Sequence, residues 1–467
     1  MLVIISDLHL TDGSSETIHQ GTLRVFRERL RSLAYAASWR AGGTYKPITD
    51  LTVLLLGDIV DVLRSSQWLR TEGGAEDTLR PWSAARQPDF IKKIDAITDA
   101  TIAKNAIFFA MMRELHGTSI ATVPPAANGG RPAIADGEGR GVERVPVNTH
   151  LHYMTGNHDW YFHLPHAAYH PVRAKLVMAM GLENDPNQPF PHDPDEPAAA
   201  DIRRVLDEHR VFARHGDIYD SFNYEGARDA SSLGDAIVVD LVTRFAIEVR
   251  TKMGDSLPPE CLAGLNEIDN VRPLMMVPVW VGGLLRRTCP DPRLHRQVEE
   301  VWNGLVDNFI RIPFVRDHLR ARRSFLSSEK LKLGLMLSKR LLRPEGSRLL
   351  CYLQGKVAPP AKSYYPYALR EQAFKRRQAR FFVYGHTHRH EMAPLDSGYS
   401  QDGLANSIYL NSGTWRPVHE LTRFRPGREM FVGYNTMTYL AFFKDDERSG
   451  RTFESWSGSL AQANHPA

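Results

Sequence analysis

The sequence predicts an α/β fold, in which helices cover a sheet of buried strands. Apolar runs such as residues 51–61 (LTVLLLGDIVD) are typical of strands buried on both faces. Helical patterns at 22–39 and 89–115 lie between the early strands, and this alternation is typical of layered α/β domains. The apolar runs also end in polar signatures, most of which contain glycine. Because ligands of open α/β sheets bind beyond the carboxyl ends of the strands, we expect these signatures to form the functional site.

The 467-residue chain has the composition of an ordinary globular protein, with 42% hydrophobic and 24% charged residues. Its formal net charge of +4 is too small for this length to indicate a nucleic-acid binder. Three widely spaced cysteines form no metal or redox motif, which favours reduced thiols. The sequence shows neither a transmembrane-length apolar stretch nor a signal-peptide pattern, so a cytoplasmic location is expected.

Five polar signatures follow predicted strands in order along the chain. In the first, Asp7 and His9 would point to the same face, because side chains alternate along an extended backbone. The others are Gly57-Asp58, GNHD at 156–159, HGD at 215–217 and GHTH at 385–388. Carboxylate, imidazole and amide oxygen ligands suit hard or borderline divalent ions. The combined pattern favours a metal centre over a set of turn and capping residues.

The order D-x-H, GD, GNHD, H, GHxH resembles the calcineurin-like metallophosphoesterase superfamily. The resemblance covers residues 1–217 and 380–443, and it implies a four-layer αββα sandwich formed by these two segments. Residues 218–379, which are mostly helical in pattern, would form a large helical insertion or cap. Residues 444–467 are expected to be a polar, loosely held tail.

The same resemblance implies a centre with two divalent metal ions. Such ions lie about 3.5–4 Å apart, so one ligand must reach both, and by resemblance this ligand is Asp58. Manganese is the expected metal, with iron or zinc as alternatives, because carboxylate and imidazole ligands accommodate all three. The implied ligands of the first ion are Asp7, His9, Asp58 and His388, and those of the second are Asp58, Asn157, His215 and His386.

The activity implied is hydrolysis of a phosphoric ester by a bridging hydroxide that attacks phosphorus directly. His158 would stabilise the transition state and protonate the leaving oxygen, and Asp159 would hold its imidazole in one tautomer. Asn157 and Arg389 are the expected substrate contacts, although Arg389 is equally explained as an exposed structural arginine. Asp61 is expected to satisfy a ligand histidine rather than to bind metal.

The substrate is less constrained than the chemistry. The blocks SDLHL, HGD and GHTHR are similar to those of UDP-2,3-diacylglucosamine pyrophosphatases, which implies a lipid-linked or nucleotide diphospho substrate. One alternative is a phosphodiesterase or nuclease that uses basic helices on nucleic acid. The other is a non-catalytic scaffold whose helical insertion docks partners.

Three further features complete the predictions. The basic stretch 311–343 is usually explained as a solvated helix face, with a membrane surface or an acidic partner as the alternative contact. Residues 183–197 are acidic and proline-rich, and they predict a surface loop. His163, His166 and His170 are spaced irregularly, so they are expected to line the substrate cleft rather than to bind metal.

Overall fold

The computed structural model describes residues 1–15, 18, 20–72, 75–116, 120–133, 141–272, 276–321, 334–336, 338–339, 363–400, 403–421 and 431–460. The basic stretch 311–343 falls only partly within these ranges. Its described members include Arg311, Arg316, Arg320 and Lys339. Outside the described residues lie Arg322, Arg323, Lys330, Lys332, Arg340 and Arg343.

The strands form two larger sheets and three short two-stranded pairs within the described residues. In chain order they are β1 Leu2–Ile5, β2 Asp50–Leu56, β3 Thr71–Glu72, β4 Ala75–Glu76, β5 Thr122–Val123, β6 Ala126–Ala127, β7 Arg131–Pro132, β8 Val145–Pro146, β9 Asn148–Met154, β10 Val211–Ala213, β11 Val271–Arg272, β12 Phe381–Tyr384, β13 His390–Ser400, β14 Gly403–Ser412, β15 Pro417–Leu421, β16 Phe431–Phe442 and β17 Phe453–Leu460.

The helices lie before β9, between β9 and β10, and in the long interval between β10 and β12. A π-helical segment, Ile237–Thr243, continues directly from one α-helix into the next. The α-helices are α1 Gln20–Ala37, α2 Pro88–Lys104, α3 Ala106–His116, α4 His170–Met180, α5 Ala200–Glu208, α6 Leu233–Ala236, α7 Arg244–Met253, α8 Pro259–Leu265, α9 Val277–Thr288, α10 Pro292–Arg311, α11 Pro313–Ala321, α12 Tyr365–Ala368 and α13 Gln372–Lys375.

The larger sheet has seven strands in the order β11-β15-β16-β1-β2-β9, with β17 added beside β16. At its centre β1 runs parallel to β2, and β2 runs parallel to β9. All three strands are almost fully buried, as expected for parallel strands covered on both faces, and β1 and β2 are rich in aliphatic residues. Their carboxyl ends meet at one edge, which brings together the first three polar signatures of the sequence.

The smaller sheet has the order β10-β12-β14-β13, in which the first three strands are parallel. One apolar cluster joins side chains of both sheets, including Ile4, Leu54, Phe381 and Leu410. A second cluster packs α1 to α4 on the opposite face of the larger sheet, and a third packs α12 and α13 on the smaller one. This is a mixed α/β fold, as the sequence predicts.

Residues 218–321 have an apolar cluster of their own, formed mainly by α6 to α11. The rings of Trp82 and Phe314 stack 4.7 Å apart, so this cluster also contacts the segment before α2. β11 lies within the interval but pairs with β15 of the larger sheet. The interval 218–379 therefore contributes helices with a separate core, one sheet strand, and the two short helices that cover the smaller sheet.

The segment expected to be a loose tail contains β17, which pairs antiparallel with β16 from Asn435 to Phe442. That expectation is wrong for Phe453–Leu460. Phe453 and Trp456 are three residues apart, so they occupy opposite faces of the strand. Phe453 packs on Phe381 with ring centres 5.2 Å apart, and Trp456 stacks on Tyr439 at 5.5 Å. Two aromatic anchors and a full ladder hold a segment that is otherwise polar.

His209 follows α5 and makes the folded state sensitive to acid. Its side chain is buried, its Nδ1 lies 2.8 Å from the carbonyl oxygen of Val205, and burial lowers its pKa to about 3. Below the ordinary pKa of about 6.5, the unfolded chain binds a proton that the folded chain excludes. We expect His209 to reduce the free energy of unfolding by up to about 1.4 kcal/mol for each pH unit below 6.5, until the folded pKa is reached.

Urea unfolding of the wild type and His209→Gln at pH 7, 6 and 5 measures this effect. The variant should lose less stability between pH 7 and pH 5 than the wild type. The exposed His166 provides the control, and His166→Gln should leave the pH dependence unchanged. Identical pH dependence in the wild type and His209→Gln would contradict the prediction.

Candidate metal centre

Asp7, His9 and His388 form the first group of ligand atoms. His9 Nε2 lies 2.9 Å from His388 Nε2, which in turn lies 3.3 Å from Asp7 Oδ1. One ligand atom from each residue lies within 4.8 Å of the other two. Asp7 and His9 follow β1 and His388 follows β12, so this group joins the carboxyl ends of strands from the two sheets.

Asp58, His215 and His386 form the second group, again with their ligand atoms within 4.8 Å of one another. His215 Nε2 lies 3.2 Å from Asp58 Oδ2. His386 Nδ1 lies 3.0 Å from the amide oxygen of Asn157, which adds a fourth oxygen or nitrogen donor to the group. The structure thus brings together all seven residues predicted as metal ligands, and their assignment to two ions stays a prediction. His158 also lies close to this centre, in a group with His9 and Asp58.

Asp58 belongs to both groups. Its Oδ2 lies 3.2 Å from His215 Nε2 and 3.7 Å from His9 Nε2. Its Oδ1 accepts a hydrogen bond of 2.8 Å from the backbone N–H of His158. One carboxylate therefore lies between the two groups, and its second oxygen is fixed by the GNHD turn.

The backbone at these residues is unusual. Ten non-glycine residues among those described have a positive φ, a conformation that L-residues rarely adopt. Half of them are predicted metal ligands. Such strained residues concentrate at functional sites, where the surrounding structure holds them. The five ligands are Asp7, His9, Asp58, His386 and His388, with φ between 47° and 65°.

Two glycines are required by the close approach of the ligands. A Cβ at Gly156 would lie 2.3 Å from Asp58 Oδ1 and 2.8 Å from His215 Nε2. A Cβ at Gly385 would lie 2.6 Å from Asp7 Oδ2. Neither glycine has a positive φ, so they serve here to make room for carboxylate and imidazole groups rather than to permit a turn.

The charges of the centre are strongly coupled. Burial raises the pKa of Asp7 to about 6. Burial also acts to raise the pKa of Asp58, but positive charge on His215 and His158 outweighs it and holds this pKa well below its ordinary value. Burial acts to lower the pKa of His215, yet Asp58 and Asp7 hold it well above its ordinary value. A divalent ion here would replace the imidazole proton, because a ligating imidazole is neutral.

The residues present fit such an ion. Among the described side chains, Asp7 Oδ1 and His215 Nε2 are buried and make no hydrogen bond of normal geometry. Buried polar atoms of this kind require an explanation, since leaving them unpaired costs about 1–3 kcal/mol. Both belong to residues predicted as metal ligands, one in each group, and their chemistry suits Mn²⁺, Fe²⁺ or Zn²⁺.

Asp61, rather than Asp159, orients the ring of His158. Asp61 Oδ1 lies 3.0 Å from His158 Nδ1, and Asp61 Oδ2 lies 2.8 Å from His9 Nδ1. The expectation that Asp159 holds the His158 tautomer is therefore wrong, whereas Asp61 does satisfy a ligand histidine. Arg64 Nη1 lies 3.1 Å from Asp61 Oδ2 and helps to lower the pKa of Asp61 against the effect of burial.

Asp159 instead fixes the backbone around the centre. It accepts hydrogen bonds from the N–H groups of Gly156 and Ile59 and from the hydroxyl of Tyr153, at 2.5 to 2.9 Å. Its contacts reach both the GD and the GNHD turns, which carry Asp58 and Asn157. Burial, followed by the charge of Asp58, raises its pKa to about 7.

Asp220 is a site residue that the sequence did not single out. Its Oδ2 lies 3.2 Å from His386 Nε2 and 2.8 Å from Asn223 Nδ2. Asp220 ends the block HGDIYD, which begins with the predicted ligand His215. The short 3-10 helix Asp217–Tyr219 lies between these two residues. Asp217 itself pairs with Arg228 Nη2 at 2.5 Å. Arg389 is exposed, and its contact with substrate stays a prediction.

No protein-family model matches this chain, and a search among curated proteins also finds no match. The resemblance to calcineurin-like metallophosphoesterases therefore depends on the five sequence blocks alone. None of the helices in the described part of the chain has the length and apolar character needed to cross a membrane.

Proposed function

We propose that this chain is a dinuclear-metal-dependent phosphoric ester hydrolase of the calcineurin-like metallophosphoesterase type. The observation that carries the proposal is the position of Asp58, whose Oδ2 lies within 4 Å of a histidine of each ligand group. Two neighbouring ligand groups that share one carboxylate suit two-metal hydrolysis of phosphate esters. The two facing sheets with helices on their outer faces support a four-layer αββα core.

Each ligand group would hold one divalent ion, manganese by preference, with iron or zinc as alternatives. When bound, the ions would lower the pKa of coordinated water and neutralise the charge of the phosphate. Asn157 would reach the second ion through its amide oxygen, as its 3.0 Å distance to His386 Nδ1 supports. The left-handed backbone at five ligands would keep these groups in place before any ion arrives.

His158 would donate a proton to the leaving oxygen. Burial acts to lower its pKa, but the negative charges of Asp61 and Asp58 outweigh burial and raise the pKa above its ordinary value. This direction favours the protonated form, which an acid requires. Because Asp61 contacts both His158 and His9, it would position the acid relative to the first ion.

The substrate class follows from the blocks rather than from the fold. Their similarity to UDP-2,3-diacylglucosamine pyrophosphatases supports a lipid-linked or nucleotide diphospho compound. The membrane or acidic-partner contact proposed for 311–343 rests on Arg311, Arg316 and Arg320 among the described residues of α10 and α11.

A substrate panel tests this function. The protein is stripped with a chelator, reconstituted with Mn²⁺, Fe²⁺ or Zn²⁺, and assayed on a phosphomonoester, a phosphodiester and a nucleotide pyrophosphate. We expect turnover on at least one substrate that is lost on chelation and restored by metal. Equal inactivity on all three, with two ions bound, would contradict the proposal. Hydrolysis of nucleic acid that falls steeply with salt would favour the nuclease alternative.

A further inference from the structure

A third group of metal-ligating side chains, His163, His192 and Glu196, is separate from the dinuclear centre. Its ligand atoms all lie within 4.8 Å of one another. His192 Nδ1 lies 2.5 Å from Glu196 Oε1. The centres of the His163 and His192 rings are 4.7 Å apart, and the angle between the ring planes is 81°. All three side chains are between 18% and 24% exposed, so the group lies close to the protein surface.

The group joins two segments of the chain. His163 ends the 3-10 helix Trp160–His163, which follows the GNHD signature directly. His192 and Glu196 belong to the proline-rich segment 183–197, which the sequence predicts as a surface loop. His166 and His170, the nearby histidines considered with His163, are not members of this group. The ligands are therefore brought together by the fold and not by sequence spacing.

Backbone hydrogen bonds already place the 190–196 loop against the GNHD segment. The N–H of Phe190 donates to the carbonyl of Phe162 at 3.0 Å, and the N–H of Thr155 donates to the carbonyl of Pro191 at 2.8 Å. Thr155 lies two residues before Asn157. The conformation of this loop is therefore coupled to the position of Asn157, a predicted ligand of the dinuclear centre.

The charge states of the group suit a divalent cation. His163 Nδ1 lies 2.9 Å from the carbonyl oxygen of Phe190, so it carries the proton and leaves the lone pair on Nε2. Burial lowers the pKa of this ring, which favours its neutral form. Burial acts to raise the pKa of Glu196, but its contacts with His192 outweigh burial and lower it. Two imidazoles and an ionised carboxylate are a donor set typical of zinc sites with one open position.

The contact between His192 and Glu196 also differs from an ordinary pair. His192 Nδ1 is buried and makes no hydrogen bond of normal geometry, although Glu196 Oε1 is 2.5 Å away. Glu196 Oε2 meanwhile accepts a hydrogen bond of 3.1 Å from the backbone N–H of His192. The carboxylate is therefore anchored by one oxygen and offers the other to the space beside the imidazole.

We propose that His163, His192 and Glu196 bind a third divalent ion, zinc by its donor set, which fastens the 190–196 loop to the GNHD segment. The role of this ion is to hold the loop, and it takes no part in the reaction. Asp193, next to His192, pairs with Arg214 at 3.0 Å, and Arg214 precedes the predicted ligand His215. The loop thus contacts two segments, one just before Asn157 and one just before His215, and both of these residues are predicted ligands of the second ion.

Zinc counting on the full chain tests the proposal. Wild type and variants are stripped, dialysed against Zn²⁺, freed of excess ion and analysed for zinc per chain by mass spectrometry. We expect His192→Ala and Glu196→Gln to bind one equivalent less than the wild type and to lose part of the rise in Tm that zinc produces. Glu196→Gln keeps the side-chain volume and an oxygen acceptor, so a loss of zinc in this variant is not explained by misfolding.

His150→Ala is the matched control. His150 Nδ1 lies 3.0 Å from Glu183 Oε1, so this histidine also pairs with a glutamate but belongs to no three-residue ligand group among the described residues. This variant should bind as much zinc as the wild type. The proposal is overturned if His192→Ala and Glu196→Gln also retain the full zinc count. If the dinuclear centre were absent, the counts would fall from one to zero instead of from three to two, so the two failures are distinguishable.

Discussion

Asp58→Asn is expected to remove at least one of two Mn²⁺ ions and to lower phosphoesterase turnover by at least about a thousandfold, or about 4 kcal/mol of transition-state stabilisation. The reason is that the amide loses the negative charge that lies between His9 and His215, so neither ligand group is complete. Mn²⁺ bound per chain and kcat on the best panel substrate measure the two effects.

A buried carboxylate outside the centre gives the control. Asp235 accepts hydrogen bonds from Ser231, Ser232 and Trp160 and belongs to neither group of predicted ligands, so Asp235→Asn removes a buried carboxylate without removing a predicted ligand. Asp235→Asn should keep both ions and nearly all turnover. Full activity of Asp58→Asn with two ions bound would mean that Asp58 is not the shared ligand.

Trp415→Ala should lower the free energy of unfolding of the metal-free protein by about 3–5 kcal/mol, the usual cost of truncating a buried tryptophan. Trp415 is 1% exposed, meets Phe26 edge to face at 4.7 Å, and donates from Nε1 to the carbonyl of Thr438 at 2.8 Å. Its neighbour Thr414 donates from Oγ1 to the carbonyl of Asp7 at 2.7 Å. Urea unfolding measures this loss. It is followed by far-ultraviolet circular dichroism, because the substitution itself alters tryptophan fluorescence.

Trp415→Phe separates the ring from its hydrogen bond. Phenylalanine keeps an aromatic contact with Phe26 but leaves the Thr438 carbonyl without its indole donor, so we expect a smaller loss than for alanine. If alanine costs less than 1 kcal/mol, Trp415 does not have the structural role that its packing indicates.

The grouping of the predicted ligands at one edge could be inferred from the sequence because it depends on local information. Asp7, Asp58 and His215 come directly after short apolar strands, and parallel strands place their carboxyl ends at one edge. The α/β class follows from the same alternation of strands and helices. Neither inference requires knowledge of how distant side chains orient.

The roles of Asp61 and Asp159 could not be predicted in this way. Both aspartates lie within three residues of a predicted site residue, so spacing alone does not decide which one meets His158. The outcome depends on the backbone of the GNHD turn, where the N–H of Gly156 engages Asp159 and leaves Asp61 facing the imidazole. Such a choice is made by tertiary contacts between two strand ends.

The strand β17 and the His163 group were missed for a related reason. Apart from Phe453 and Trp456 the strand is largely polar, and its conformation is fixed by the ladder with β16. His192 and Glu196 lie in a proline-rich segment whose composition predicts a loop and nothing about its partner. In both cases the conformation or contact is determined by residues that are distant in sequence, β16 for the strand and His163 for the loop.

The spacing of the ligands along the chain has a consequence for biosynthesis. His9 and His388 are 379 residues apart and yet in contact, and β1 lies between β2 and the late strand β16. A nascent chain that has emerged only as far as the GNHD turn carries Asp7, His9, Asp58 and Asn157 but neither complete group of predicted ligands. Under the proposed function, ion capture would therefore follow translation of the GHTH block at 385–388, so a filled centre would mark chains translated at least this far.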